Sequence, residues 1–171
     1  MFARFDRIAI AAFAAWALLG GVAGAADKPV LMTFKSLTPE AALEVAQATL
    51  KACRAENYQI TVAVVDRGGV VQALLRDRFA GPHTPRTAVG KARTALSFRT
   101  NTTEMAELTQ PGKEASGVRH IRGAIMVGGG VMVRAGGELV GAIGVSGAPS
   151  GQIDEKCALD GLKSIQDRLD F

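Results

Sequence analysis

Apolar positions along the chain change period several times, and each change marks an element. From Pro39 onwards Leu43, Ala46, Leu50 and Cys53 recur at helical spacing. Thr38-Pro39-Glu40 supplies the start: a hydroxyl that accepts from an orphan backbone N–H, a proline for the first turn, and a carboxylate for the positive end of the helix dipole. This helix should end near Glu56-Asn57. Tyr58 to Val65 is then rich in β-branched residues, Asp66-Arg67-Gly68-Gly69 signals a turn, and Val70 to Arg76 resumes as a strand, which together predict a hairpin.

A second Thr-Pro pair, Thr84-Pro85, opens a helix running to about Arg99, with Ala88, Val89, Ala92, Ala95 and Leu96 on one side and Lys91, Arg93 and Arg99 elsewhere on the wheel. Asn101 suits the cap of a short helix through Leu108. Thr109 to Arg119 is polar, with Pro111, Gly112 and Gly117, and predicts a mobile loop. Strands are expected over 121–127, 131–134 and 138–146, separated by Gly128-Gly129-Gly130 and Ala135-Gly136-Gly137. Gly141 and Gly144 predict close packing of the last strand on a helix. Asp154 opens a final helix with Ala158, Leu162, Ile165 and Leu169 inward. The order is α-β-β-α-α-β-β-β-α. Hairpin connections imply an antiparallel sheet, because parallel strands need longer crossovers, and the helices cover its faces. The fold class is therefore α/β (α+β).

The N-terminus reads differently. Arg4 and Arg7 precede an uncharged apolar run of twelve residues, Ile8 to Leu19, and Ala23-Gly24-Ala25 fits the small-residue pattern of a signal-peptidase site. The run is shorter than the ~20 apolar residues needed to span a bilayer as a helix. The expectation is a secretory signal over 1–25, a single domain over 26–171, no integral span after cleavage, and a periplasmic or secreted address. Cleavage removes Arg4, Asp6 and Arg7, so the formal charge of +4 falls by one to +3. That mild surplus permits an anionic partner without demanding one. No basic run and almost no aromatic residues stand ready for base stacking, which argues against nucleic-acid binding.

The protein has two cysteines, Cys53 and Cys157. In an oxidising compartment they can pair, which would contribute roughly 4–5 kcal/mol in the chain-entropy picture; otherwise they are two buried thiols acting as small hydrophobes. Antiparallel packing of the first and last helices would favour the bridge, since Cys53 is late in one and Cys157 early in the other. No Cys/His cluster suggests a zinc site.

Candidate chemistry centres on the two histidines, each just before a predicted element: His83 in Gly81-Pro82-His83-Thr84-Pro85 and His120 in Arg119-His120-Ile121-Arg122. An imidazole can ligate iron, and haem is commonly held by an axial His. Arg86, Lys91, Arg119 and Arg122 stand near them in sequence and suit haem propionates or other carboxylates. The start of the 85–99 helix, with Thr84, offers N–H groups to an anion. The glycine clusters lack the strand-loop-helix context and Lys-Ser/Thr tail of a phosphate-binding loop. Ser146 is followed directly by Gly147, so no Gly-x-Ser-x-Gly elbow exists; Asp66, Asp77 and Asp154 read as turn or cap residues.

Val62-Ala63-Val64-Val65-Asp66-x-x-Gly69, Lys91-Ala92-x-Thr94-Ala95-x-x-Phe98, Gly128-Gly129-Gly130, Val140-Gly141-Ala142-Ile143-Gly144-Val145-Ser146-Gly147 and Asp154 together resemble the GlcG/HbpS haem-binding family, related to the carboxy-terminal domain of PduO. The likeness spans about residues 36–169. It implies a profilin-like fold with an antiparallel sheet of about five strands flanked by helices, homo-oligomers, and binding of haem or a related tetrapyrrole. For this chain it implies an exported haem-binding protein acting in haem or iron capture or sensing, more a binding protein than a catalyst. His83 or His120 would be the iron ligand, with Lys91 and a neighbouring arginine on the propionates. Family members often carry Met-Asp-Gly-Ala after the second strand; here Arg78 to Thr84 places a histidine there, and the first helix has none. The other readings are an enzyme degrading haem or acting on a small metabolite, and a module for another small anion.

Overall fold

The structure, a computed structural model, describes residues 29–169. The expected signal peptide, 1–25, lies outside them. The chain divides into two units, residues 1–33 and 34–171. Of the first, only 29–33 are described, and they form no helix or strand.

The second unit follows the expected order closely. Helix α1, Pro39–Ala55, is capped by the Thr38 hydroxyl, which accepts from the Ala41 N–H at 3.2 Å. Strands β1 (Thr61–Asp66) and β2 (Val71–Arg76) form the antiparallel hairpin. Asp66 builds its turn, accepting from the N–H groups of Gly68 and Val70. Helix α2, Thr84–Phe98, and short helix α3, Thr102–Leu108, come next. Strands β3 (Gly130–Ala135) and β4 (Glu138–Ser146) lead to helix α4, Gly151–Leu162, capped by the Ser150 hydroxyl.

The sheet order is β2-β1-β4-β3, all antiparallel. Alternation assigns its two faces. Val62, Val64, Ile143 and Val145 pack with α1 and α4 in the main core, whereas Val65 and Ala142 pack with Ala92 and Ala95 of α2 on the other face. Gly144 makes the α2 face possible: a Cβ there would collide with the Ala88 carbonyl oxygen. On the opposite face α1 and α4 run antiparallel and are joined by a Cys53–Cys157 disulfide, with Cα atoms 5.4 Å apart.

Three expectations need correction. The sheet has four strands among the described residues, not about five, because 121–127 is not a strand. Gly123 takes a positive φ of 90°, the Ile125 N–H bonds to the Thr94 hydroxyl at 2.8 Å, and Ile125 seats against Gly90, so this segment lies along α2. Residues 114–120 form a 3₁₀ helix rather than an open loop. Leu43 is exposed; Ala42 and Val45 face the core beside Ala46.

Candidate functional site

Lys91 lies on the inner face of α2, three residues from Ala88 and four from Ala95, both fully buried. Its ammonium donates to the Val145 carbonyl at 2.9 Å and to Asp154 Oδ2 at 2.7 Å. Both side chains of the ion pair are nearly excluded from solvent. Asp154 Oδ1 accepts from the Ala148 N–H at 3.0 Å. Gly129, at φ +114°, makes room for the pair, since a Cβ there would stand 2.7 Å from Asp154 Cβ and 3.0 Å from Lys91 Nζ. Burial holds the Asp154 carboxyl above the ordinary carboxylate range, with Lys91 and the Ala148 N–H pulling it back down. The sequence reading of Lys91 as an outward cation and Asp154 as a helix opener is thus corrected: each neutralises the other inside the protein.

The pair forms the inner wall of a cavity of about 330 Å³ whose other walls include His83, Thr87, Val127, Ser146 and Pro149. His83 sits at the N-cap of α2, exposed, with no side-chain capping bond. Thr84 is buried. Its hydroxyl donates to the Gly81 carbonyl and stands 2.7 Å from the Thr61 hydroxyl, so it fixes the loop where it borders the cavity.

A larger groove of about 840 Å³ opens along α2, lined by Arg86, Val89, Arg93, Phe98, Ile121, Arg122 and Ile125 among others. Its lining is apolar between three guanidinium groups. Arg93 donates to the Gly69 carbonyl at 2.9 Å. Arg86 and Arg122 are exposed and make no side-chain hydrogen bond or ion pair among the described residues. The groove residues and the smaller cavity's residues do not overlap.

The expected site residues therefore do not converge. His83, Thr84 and Lys91 line the smaller cavity, Arg86 the groove, and His120, exposed at the end of the 3₁₀ helix, lines neither. Arg119 is committed to the carbonyls of Thr109 and Ala106, clamping that helix to the end of α3, and is not free to hold an anion. Sequence reasoning missed Ser146 and the groove as a unit, because the groove is assembled by a segment read as a strand. Among the described residues no group of three or more His, Cys, Asp or Glu gathers as a metal site.

Comparison with known proteins places this geometry. The family described as "Haem degrading protein HbpS-like" matches residues 37–163. GlcG of Escherichia coli K12 is 30% identical over 110 residues, which is 64% of this chain and 81% of GlcG. The crystal structure of a double mutant of Streptomyces reticuli HbpS superposes with a TM-score of 0.75 at 38% identity, covering 81% of this chain and 93% of that one. That of a PduOC–haem complex superposes with a TM-score of 0.72 at 26% identity, covering 77% and 96%.

Proposed function

This chain belongs to the HbpS-like family, and we propose from that premise that it binds haem, in the groove along α2. The observation that carries the placement is the groove's composition. A tetrapyrrole needs an apolar slot for its macrocycle and cations for its two propionates. The groove has apolar walls from Val89, Phe98, Ile121 and Ile125, and Arg86 and Arg122 stand without protein partners. Its volume lies well inside the range of small-molecule sites, whereas the His83 cavity is near the lower end of it. Haem, when bound, would supply an iron centre open to ligand exchange or redox change. The candidate iron ligands are His120 and His83. His120 is the first choice, because it immediately precedes Ile121 and Arg122 of the groove.

Titration of the purified chain with hemin tests this. The expected result is a saturable Soret shift, altered in His120→Ala and weakened by removing Arg86 and Arg122 together. A shift unchanged in the His83→Ala, His120→Ala double variant would overturn the ligand assignment, and no shift would overturn haem binding.

The basic, apolar and small-residue sequence of the first 25 residues supports an exported protein, and hence haem or iron capture or sensing outside the cytoplasm. The resemblance to the family also supports a homo-oligomer, measurable by analytical ultracentrifugation. A second reading, haem degradation, is favoured by the family's description. It predicts bilin and released iron when hemin-loaded protein is given a reductant and oxygen.

A further inference from the structure

We propose that the cavity behind His83 is a separate site for a small aliphatic carboxylate. At about 330 Å³ it is less than half the groove's 840 Å³ and suits a short-chain acid.

Four features point to such a ligand. Ser146 is only 5% exposed, ends β4 facing the start of α2, and lines the cavity; among the described residues its hydroxyl has no hydrogen-bond partner. That hydroxyl opens onto the cavity rather than being sealed in the core, so it is free to bond an occupant. The Lys91 ammonium donates to Val145 and Asp154, which leaves one of its three protons unassigned. Each Asp154 oxygen accepts one bond, from Lys91 and from Ala148, so the carboxylate is held and its charge is balanced by Lys91. Helix α4 begins at the cavity wall at Ser150-Gly151, and its amide end favours negative charge. The lining also includes Val127, Ala148 and Pro149, which suits a carboxylate on a short apolar body better than an inorganic anion.

The test is calorimetric titration of the haem-free chain with propionate, and with propionamide as its uncharged counterpart. Propionate should bind saturably and propionamide should not. Ser146→Ala, which removes the hydroxyl alone, should weaken binding about tenfold, the effect of one hydrogen bond to a charged group. Ser146→Val, which fills the space, should abolish it, and Gln47→Ala on the exposed side of α1 should leave it intact. One equivalent of hemin should not displace propionate. Failure of wild type to bind propionate, equal binding of propionamide, or indifference to Ser146→Ala would each overturn the proposal. Displacement by hemin would also overturn it, by showing the cavity to be the propionate end of the haem site; failure of hemin binding alone bears only on the groove.

Discussion

Lys91 contributes as the counter-charge of a carboxylate that water cannot reach. Lys91→Met keeps most of the aliphatic stem but leaves Asp154 buried with the Ala148 N–H as its remaining donor. Breaking a buried pair in this way costs about 3–5 kcal/mol at neutral pH. The sign of its pH dependence follows from the cause of the shift. Burial already raises the Asp154 carboxyl, and removing Lys91 removes the largest opposing influence. A carboxyl raised in the folded state binds its proton more tightly there than in the unfolded chain, so stability is lost as pH rises through the folded-state value and regained as pH falls toward the ordinary range. Urea denaturation at several pH values should therefore show the Lys91→Met deficit shrinking in mild acid. Lys91→Met combined with Asp154→Asn, which leaves no buried charge, should be more stable than Lys91→Met alone at neutral pH. None of this was legible from Lys91 in isolation. The helical wheel set it apart from Ala88 and Ala95, and only the fold brings Asp154, 63 residues away, within reach.

At the scale of elements, α2 decides the geometry of both cavities, and its seat on the sheet depends on Gly144. Gly144→Ala would drive a methyl group into the backbone at Ala88, which cannot swing aside as a side chain would. It should destabilise the protein by about 1–3 kcal/mol, read by urea denaturation, and shift α2 relative to β4 enough to weaken hemin binding. This contact was legible: glycines in a strand that otherwise reads as packed predict a close neighbour. So were α1 and the first hairpin, where cap, proline and turn chemistry agree with the apolar period. The 121–127 segment was not. Its apolar run, Ile121 to Val127, satisfies a strand pattern, yet the Thr94 hydroxyl takes the Ile125 N–H that a ladder would have used. The groove was illegible for the same reason, since one wall is that segment and the other is α2. Leu43 shows a smaller error of phase: helical spacing identified the α1 stripe, but the buried edge runs through Ala42 and Val45.

For the whole molecule, the disulfide joins the first and last α-helices among the described residues. The Cys53–Cys157 bridge ties α1 to α4 across a sequence separation of 104 residues. Near it the same helices meet at Thr49 and Gly161, where a Cβ on Gly161 would strike Thr49. A cross-link closing so long a loop restricts the unfolded chain strongly, worth about 4–5 kcal/mol in the chain-entropy account. That is a large fraction of the 5–15 kcal/mol that typically holds a domain folded. It also ties the fold to its proposed address, because such a bridge persists in an oxidising compartment and is kept reduced in the cytosol. Two measurements follow. Thiol titration of the non-reduced protein in denaturant should find no free cysteine. Urea denaturation with and without reductant should differ by about 4–5 kcal/mol. If the address is extracytoplasmic, material made with its first 25 residues and recovered after export should show the oxidised stability, and material retained in the cytosol the reduced one. Equal stability of the two preparations would separate the bridge from the export reading and leave the fold resting on its two apolar faces alone.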